Sequence, residues 1–401
     1  MDRQDLLVRN VRPCGGEACS IVVRAGRIAA IGPADHKEQE GTLAHDGGGA
    51  LLLPGLIDAH THLDKSFLGY PWQPNGGGPR IIDFIENERR LKARLGLDAA
   101  QQAERQALRS IALGTTHIRS HVDVDPQVGV RSIEGVLATR EKLAGIVDIQ
   151  IVAFPQWGLL SCPGTAELME EALRLGADIV GGLDPAAIDR DPKGHLDLVF
   201  ALAERFDRPI DIHLHEPDHL GAFDLREVCL RTRAHGMQAR VMLSHAFSLG
   251  ADDPDLVAGQ VEALASAGVA TMTTGPAGWP APAVADLHAA GVTICSGNDG
   301  MRDAWQPFGD ADMLARANAV AQRNEFRRDE GLELALATAT GLAARAIGLS
   351  DYGLEVGAMA DFLLVEAETV AEAVAAPPPR TLVVKAGRIV ARDGRITALP
   401  S

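Results

Sequence analysis

The chain has 401 residues with 54 acidic against 38 basic side chains, a formal charge of −16, 46% hydrophobic residues and only 4% aromatic ones. Such a field repels polyphosphates at long range, which argues against nucleic acid or an anionic membrane surface as a partner and favours a small neutral or cationic ligand. The length allows two or three domains, or one large α/β barrel of about 250 residues with an accessory layer.

The N-terminus is too polar to open a signal peptide, and no stretch approaches the roughly 18 apolar residues of a membrane span. Cys14, Cys19, Cys162, Cys229 and Cys295 are odd in number and scattered. They support neither a disulfide framework nor a zinc ribbon, and a reducing cytoplasm is the expected location. Residues 21–32 read as a strand-turn-strand unit, and residues 383–394 repeat the same kind of text. The two ends are therefore expected to build one small β-sandwich domain from residues 1–50 and 351–401, split by everything between.

Between residues 51 and 350 short apolar runs alternate with longer helical patterns. Strands are expected at 51–57, 115–120, 148–154, 178–182, 209–214, 240–243, 269–273 and 292–295. Helices are expected at 99–113, 133–144, 166–175, 196–206, 224–235 and 256–267. That alternation predicts an α/β fold, a (β/α)8 TIM-like barrel. A doubly wound sheet for a dinucleotide would need G-x-G-x-x-G after its first strand, and here that strand ends in histidines instead.

Residues i and i+2 share a strand face, so His60 and His62 point the same way at the carboxyl end of the first barrel strand, where the catalytic groups of this fold collect. Further polar side chains stand at predicted strand ends: His121, His213 and His215, His245, and Asp299 after the eighth strand. Taken singly, each reads as ordinary strand-end polarity or a helix cap. Together, on one barrel, they converge on one mouth and offer a three-His, one-carboxylate set for a metal, with acid–base groups to spare. A divalent ion so held lowers the pKa of bound water to about 7 and supplies hydroxide at neutral pH. Three imidazoles and a carboxylate suit Zn2+ first and Fe2+ next.

The pattern Pro54-Gly55, Asp58, His60 and His62 with distal His213, His245 and Asp299 resembles the amidohydrolase superfamily of metal-dependent barrel hydrolases. Segments 60–64, 119–123, 153–156 and 210–216, with Ser244 and Trp305 through Gly309, look closest to the cytosine deaminases. The resemblance implies His60, His62, His213 and Asp299 as metal ligands, Glu216 as proton shuttle, His245 beside the attacking water, and Gln156 as the amide that reads the ring. It also implies assembly into a homo-oligomer, since barrel hydrolases often associate through outer helices. Read alone, Gln156 is also ordinary loop polarity, and Trp305 is as much a helix-packing aromatic as a wall for a planar ring. His215 is expected behind the ligands, Asp64 and Lys65 as a loop ion pair, and His121 with Asp123 as hydrogen-bonding supports of the ligands. Asp184 ends the fourth strand where some relatives place a metal-bridging lysine, which favours a single ion, and Lys193 is expected in solvent.

One departure stands out. The cytosine enzymes carry an acidic residue after the metal-binding aspartate, and here that residue is Gly300, while residues 301–309 resemble the N-isopropylammelide amidohydrolases. The expected reaction is hydrolytic deamination of cytosine or a similar neutral amino-substituted lactam heterocycle. The alternative is cleavage of an N-alkyl or amide C–N bond on a triazine-like ring.

Overall fold

The computed structural model describes residues 5–34, 41–78, 80–276 and 278–397. The chain opens with β1 (Leu6–Pro13), β2 (Cys19–Arg24), β3 (Arg27–Pro33) and the long β4 (Leu43–Pro54), then enters the barrel through β5 (Leu56–Thr61). Helices α1 (Ile81–Leu95) and α2 (Ala99–Ala112) lead to β6 (Thr115–Asp123). The remaining barrel units are α3 (Arg131–Lys142) and β7 (Asp148–Phe154), α4 (Thr165–Leu175) and β8 (Ile179–Leu183), then α5 (Pro192–Phe206) and β9 (Ile210–His213). They continue with α6 (Asp218–Ala234) and β10 (Val241–Ser244), α7 (Pro254–Ala267) and β11 (Ala270–Thr273), then α8 (Val284–Ala289) and β12 (Ile294–Ser296). After α9 (Met313–Arg323) the chain returns to the first sheet through β13 (Phe362–Val365), β14 (Arg380–Lys385), β15 (Arg388–Arg392) and β16 (Arg395–Ile396).

Strands β5 to β12 form one parallel sheet in sequence order. A parallel bridge from Thr61 to Asp299 and the Asp299 N–H donating to the His60 carbonyl at 2.8 Å bring its two edges together. This is the expected TIM-like barrel. The terminal strands make a second sheet in the order β16-β15-β14-β13-β4-β1-β2-β3. The β2–β3 and β14–β15 hairpins turn on the same dipeptide, Ala25-Gly26 and Ala386-Gly387, with all four residues at positive φ, the geometry of a two-residue turn that matches strand twist.

The expected first strand, 51–57, is two strands. Leu51, Leu52 and Leu53 belong to β4 and pair with Val365, Leu364 and Leu363 of β13 in the terminal sheet. The apolar run is continuous in sequence because both sheets bury it, and the change of sheet falls at Gly55. There a Cβ would stand 2.5 Å from the Thr116 hydroxyl, so only glycine lets the chain pass this close to β6. Helix α1, whose side chains reach the site, was not anticipated, and α6 starts six residues earlier than the expected 224. Among the described residues no helix is long and apolar enough to cross a membrane. All five cysteines are free thiols.

Candidate metal centre

Because every barrel strand runs the same way, the residues at the carboxyl ends gather at one mouth. His60 lies on β5 and His62 just beyond it, His213 ends β9, and His245 and Asp299 follow β10 and β12. His245 and Asp299 both adopt left-handed backbone, φ +70° and +60°, turning the chain sharply as each strand ends. Ligand atoms of His60, His62, His213 and Asp299 all lie within 4.8 Å of one another. Asp299 Oδ1 stands 3.5 Å from His60 Nε2 and 3.2 Å from His62 Nε2.

The outer nitrogens of the first pair are anchored. Ser244 Oγ donates to Asp211 Oδ1 at 2.7 Å, so it must accept from His60 Nδ1, 2.9 Å away. Arg119 holds the other Asp211 oxygen at 3.0 Å. His62 Nδ1 donates to the His121 carbonyl at 3.1 Å. Both rings are thereby left with an Nε2 lone pair facing the centre. His60 Nε2, both nitrogens of His213 and Nε2 of His245 are buried without a hydrogen-bond partner. Burial, then repulsion from neighbouring groups, holds His213 and His245 far below the usual imidazole range, and burial with Lys65 nearby lowers His62 to about 4. Burial opposes ionisation of Asp299, but the imidazoles of His245, His60 and His62 around it keep it well below the usual carboxylate range. Neutral imidazoles with orphaned nitrogens around an ionised carboxylate are the donor set a divalent ion requires, so the residues fit one.

A small chamber of about 30 Å³ adjoins the cluster. Gln156 and Trp305 line it, as does His215, whose Nδ1 meets Asp184 Oδ2 at 2.8 Å. Gln156 is buried, and its Oε1 accepts from Lys65 Nζ at 3.0 Å. Trp305 donates its indole N–H to Glu88 and stacks on Phe84 at 5.4 Å. Glu216 is not in the lining of this chamber: its Oε1 accepts the Ala186 and Ala187 N–H groups at 3.0 and 2.6 Å. Its carboxyl is pushed well above the usual range, first by burial and then by Asp184 and Asp224.

Three supporting expectations are corrected. Asp64 and Lys65 do not pair with each other at contact distance. Lys65 Nζ lies 3.0 Å from Asp123 and 3.3 Å from Glu88, while Asp64 lies 3.6 Å from Lys92. Asp123 therefore serves the lysines rather than the ligands, taking Lys92 at 2.8 Å on its second oxygen. His121 supports His62 through its carbonyl only, since both its ring nitrogens are without a hydrogen bond. Lys193 is exposed as expected, paired with Asp197.

Sequence reasoning missed Glu88 and Lys92, because they reach the site from α1, and it missed Asp303. A Cβ on Gly300 would fall 2.2 Å from Asp303 Oδ2, so the Asp303 carboxyl occupies the space a side chain at 300 would take. Asp303 lines the chamber and accepts the Trp305 and Gln306 N–H groups, while burial raises it to about 6. The signal was present in the glycine itself: a lost acidic side chain invites a search for another nearby.

The Amidohydrolase family model matches residues 44–391. The N-isopropylammelide isopropyl amidohydrolase of Pseudomonas sp. (strain ADP) is 32% identical over 373 residues, 90% of this chain and 91% of that protein. The crystal structure of N-isopropylammelide isopropylaminohydrolase from Burkholderia multivorans ATCC 17616 is 48% identical with TM-score 0.95, covering 98% of this chain and 100% of that one. The 5-methylcytosine deaminase of Klebsiella pneumoniae, liganded with 5-fluorocytosine, is 26% identical with TM-score 0.85 over 98% and 99% of the two chains.

Proposed function

The chain belongs to the amidohydrolase family and is a hydrolase acting on C–N bonds; on that premise we propose that it splits the exocyclic C–N bond of an amino-substituted lactam heterocycle and releases an amine. The observation that carries this reading is the meeting of His60, His62, His213 and Asp299 within 4.8 Å, with buried imidazole nitrogens left over. These four residues would hold the ion, zinc by preference and iron(II) next. A divalent ion there supplies Lewis acidity, bringing the pKa of water near 7.

The chain's own residues do the rest. The ring lies against Trp305, with its lactam edge toward the Gln156 amide, which Lys65 holds by the oxygen so that the NH2 is left to donate. Water adds to the amino-bearing ring carbon and gives its proton to Asp299 or His245. The adjacent ring nitrogen takes up that proton as its C=N bond becomes single. The added hydroxyl then gives up its own proton, the leaving nitrogen takes one, the C–N bond breaks and the ring carbonyl forms. His215, steered by Asp184, is the group placed to deliver the leaving nitrogen's proton. Glu216, the other candidate, accepts the Ala186 and Ala187 amides on Oε1 and keeps a buried Oε2 without a partner.

Identity of 48% with an N-isopropylammelide enzyme, against 26% with a cytosine-type deaminase, favours an N-alkylamine as the leaving group. Ammonia is the second reading, supported by the Asp303 carboxyl standing where the cytosine enzymes place an acidic residue. The deciding experiment incubates the zinc-loaded protein with N-isopropylammelide and, separately, cytosine. Isopropylamine that disappears on chelation is expected; ammonia from cytosine alone would favour the second reading, and no amine from either would refute both.

A further inference from the structure

Beyond the small chamber the barrel mouth widens into a vestibule of about 430 Å³. His215, Asp299 and Trp305 line both spaces, so the two adjoin beside the candidate centre. We propose that this vestibule is a subsite for an apolar, ring-sized substituent on the leaving nitrogen, so that the preferred substrates are N-benzyl-class or N-cycloalkyl-class aminoheterocycles. The proposal rests on the hydrolytic reading above and adds the size and chemistry of the leaving amine.

Volume gives the first argument. Cavities of roughly 300–1,000 Å³ hold drug-sized ligands, and the vestibule falls in that range while the inner chamber does not. Were ammonia the leaving group, the outer walls would meet nothing but solvent.

Composition gives the second. Aromatic residues are 4% of the chain, yet Phe84, Phe247, Trp279, Trp305 and Phe308 all line this one cavity. They form two stacked pairs, Phe84 on Trp305 at 5.4 Å and 16°, and Phe247 on Trp279 at 5.6 Å and 20°. Aromatic rings lining a cavity favour an offset or edge-on ring against them. Trp279 remains 45% and Phe308 75% exposed, a clustering of large apolar surface that marks a binding region.

Charge gives the third. Arg316 is the lysine or arginine of the lining, and its two terminal nitrogens donate to the Thr274 and Asn298 carbonyls at 2.6 and 3.3 Å. Two guanidinium nitrogens thus hold backbone and Asp299 brings a carboxylate to the same lining, so the wall suits an uncharged occupant better than an anion.

The test is calorimetric titration of zinc-loaded protein with N-methyl, N-isopropyl and N-benzyl ammelide, alongside amine release. N-benzylammelide should bind about tenfold or more tighter than the N-methyl compound. Trp279→Ala and Phe247→Leu should each shrink that ratio to about twofold, with circular dichroism verifying the fold. Equal affinities across the series, or a ratio that survives both substitutions, would overturn the subsite. If the ratio holds while no compound releases an amine, the subsite stands and the hydrolytic reading falls.

Discussion

At the scale of single residues, the proton path turns on which of two neighbours faces the chemistry. His215 lines both chambers and is tied to Asp184, while Glu216 accepts two backbone amides on one oxygen and lines neither chamber. A group that protonates a leaving atom contributes typically 10²–10⁴-fold. His215→Asn should therefore cut kcat by about 100-fold or more at unchanged ion content, whereas Glu216→Gln should cost less than about tenfold; the reverse order in a steady-state amine assay would restore Glu216 as the shuttle. The histidines at strand ends were legible because strand periodicity puts His60 and His62 on one face. The amides that one Glu216 oxygen accepts were not, since they belong to residues 186 and 187, about thirty positions away. Asp303 escaped for a similar reason: its place in the chamber depends on the side chain missing at Gly300.

At the scale of elements, the site depends on how β12 closes against β5. A Cβ on Gly297 would lie 2.4 Å from the His60 carbonyl oxygen and 2.7 Å from its nitrogen, so the turn carrying Asp299 can approach only because that position is glycine. Gly297→Ala should push Asp299 away from the histidines and weaken zinc binding about tenfold or more, by analogy with the loss seen when ligand supports are removed. Competition titration against a chromophoric chelator would measure this, and an unchanged affinity would show that the close approach is not needed. Barrel strands and most outer helices were legible from alternation of apolar runs. Helix α1 was not, because buried charges hold it against the barrel: Lys65, Asp123, Glu88 and Lys92 form one network across α1, β6 and the loop after β5. Each ion in that network needs partners that only the folded chain supplies. The misplaced first strand has the same origin, since an unbroken apolar run carries no mark of which sheet buries it.

At the scale of the whole molecule, the two sheets are joined by a charge cluster at the base of the barrel. Lys385 of β14 lies 2.7 Å from Asp361 and 2.6 Å from Asp148 of β7. Lys385 and Asp361 are both buried, whereas the Asp148 side chain is 61% exposed. Removing one partner of a buried pair costs about 3–5 kcal/mol, and an exposed pair is worth under about 1 kcal/mol. Asp361→Asn should therefore lower unfolding stability in urea far more than Asp148→Asn. Burial opposes its ionisation, but His117 and Lys385 depress the pKa of Asp148 below its unfolded value, so its contribution is present at neutral pH and lost as pH falls through the acid range. The difference between wild type and Asp148→Asn should shrink progressively as pH falls below about 4, and a difference that stayed constant through the acid range would deny the ion pair. The claim on which the function rests is still the convergence of four distant side chains on one ion. Metal analysis of the purified chain tests it most directly. The account predicts one divalent ion per chain, lost together with amine release in both His213→Ala and Asp299→Ala; full ion content in either variant, or amine release that survives chelation, would contradict it.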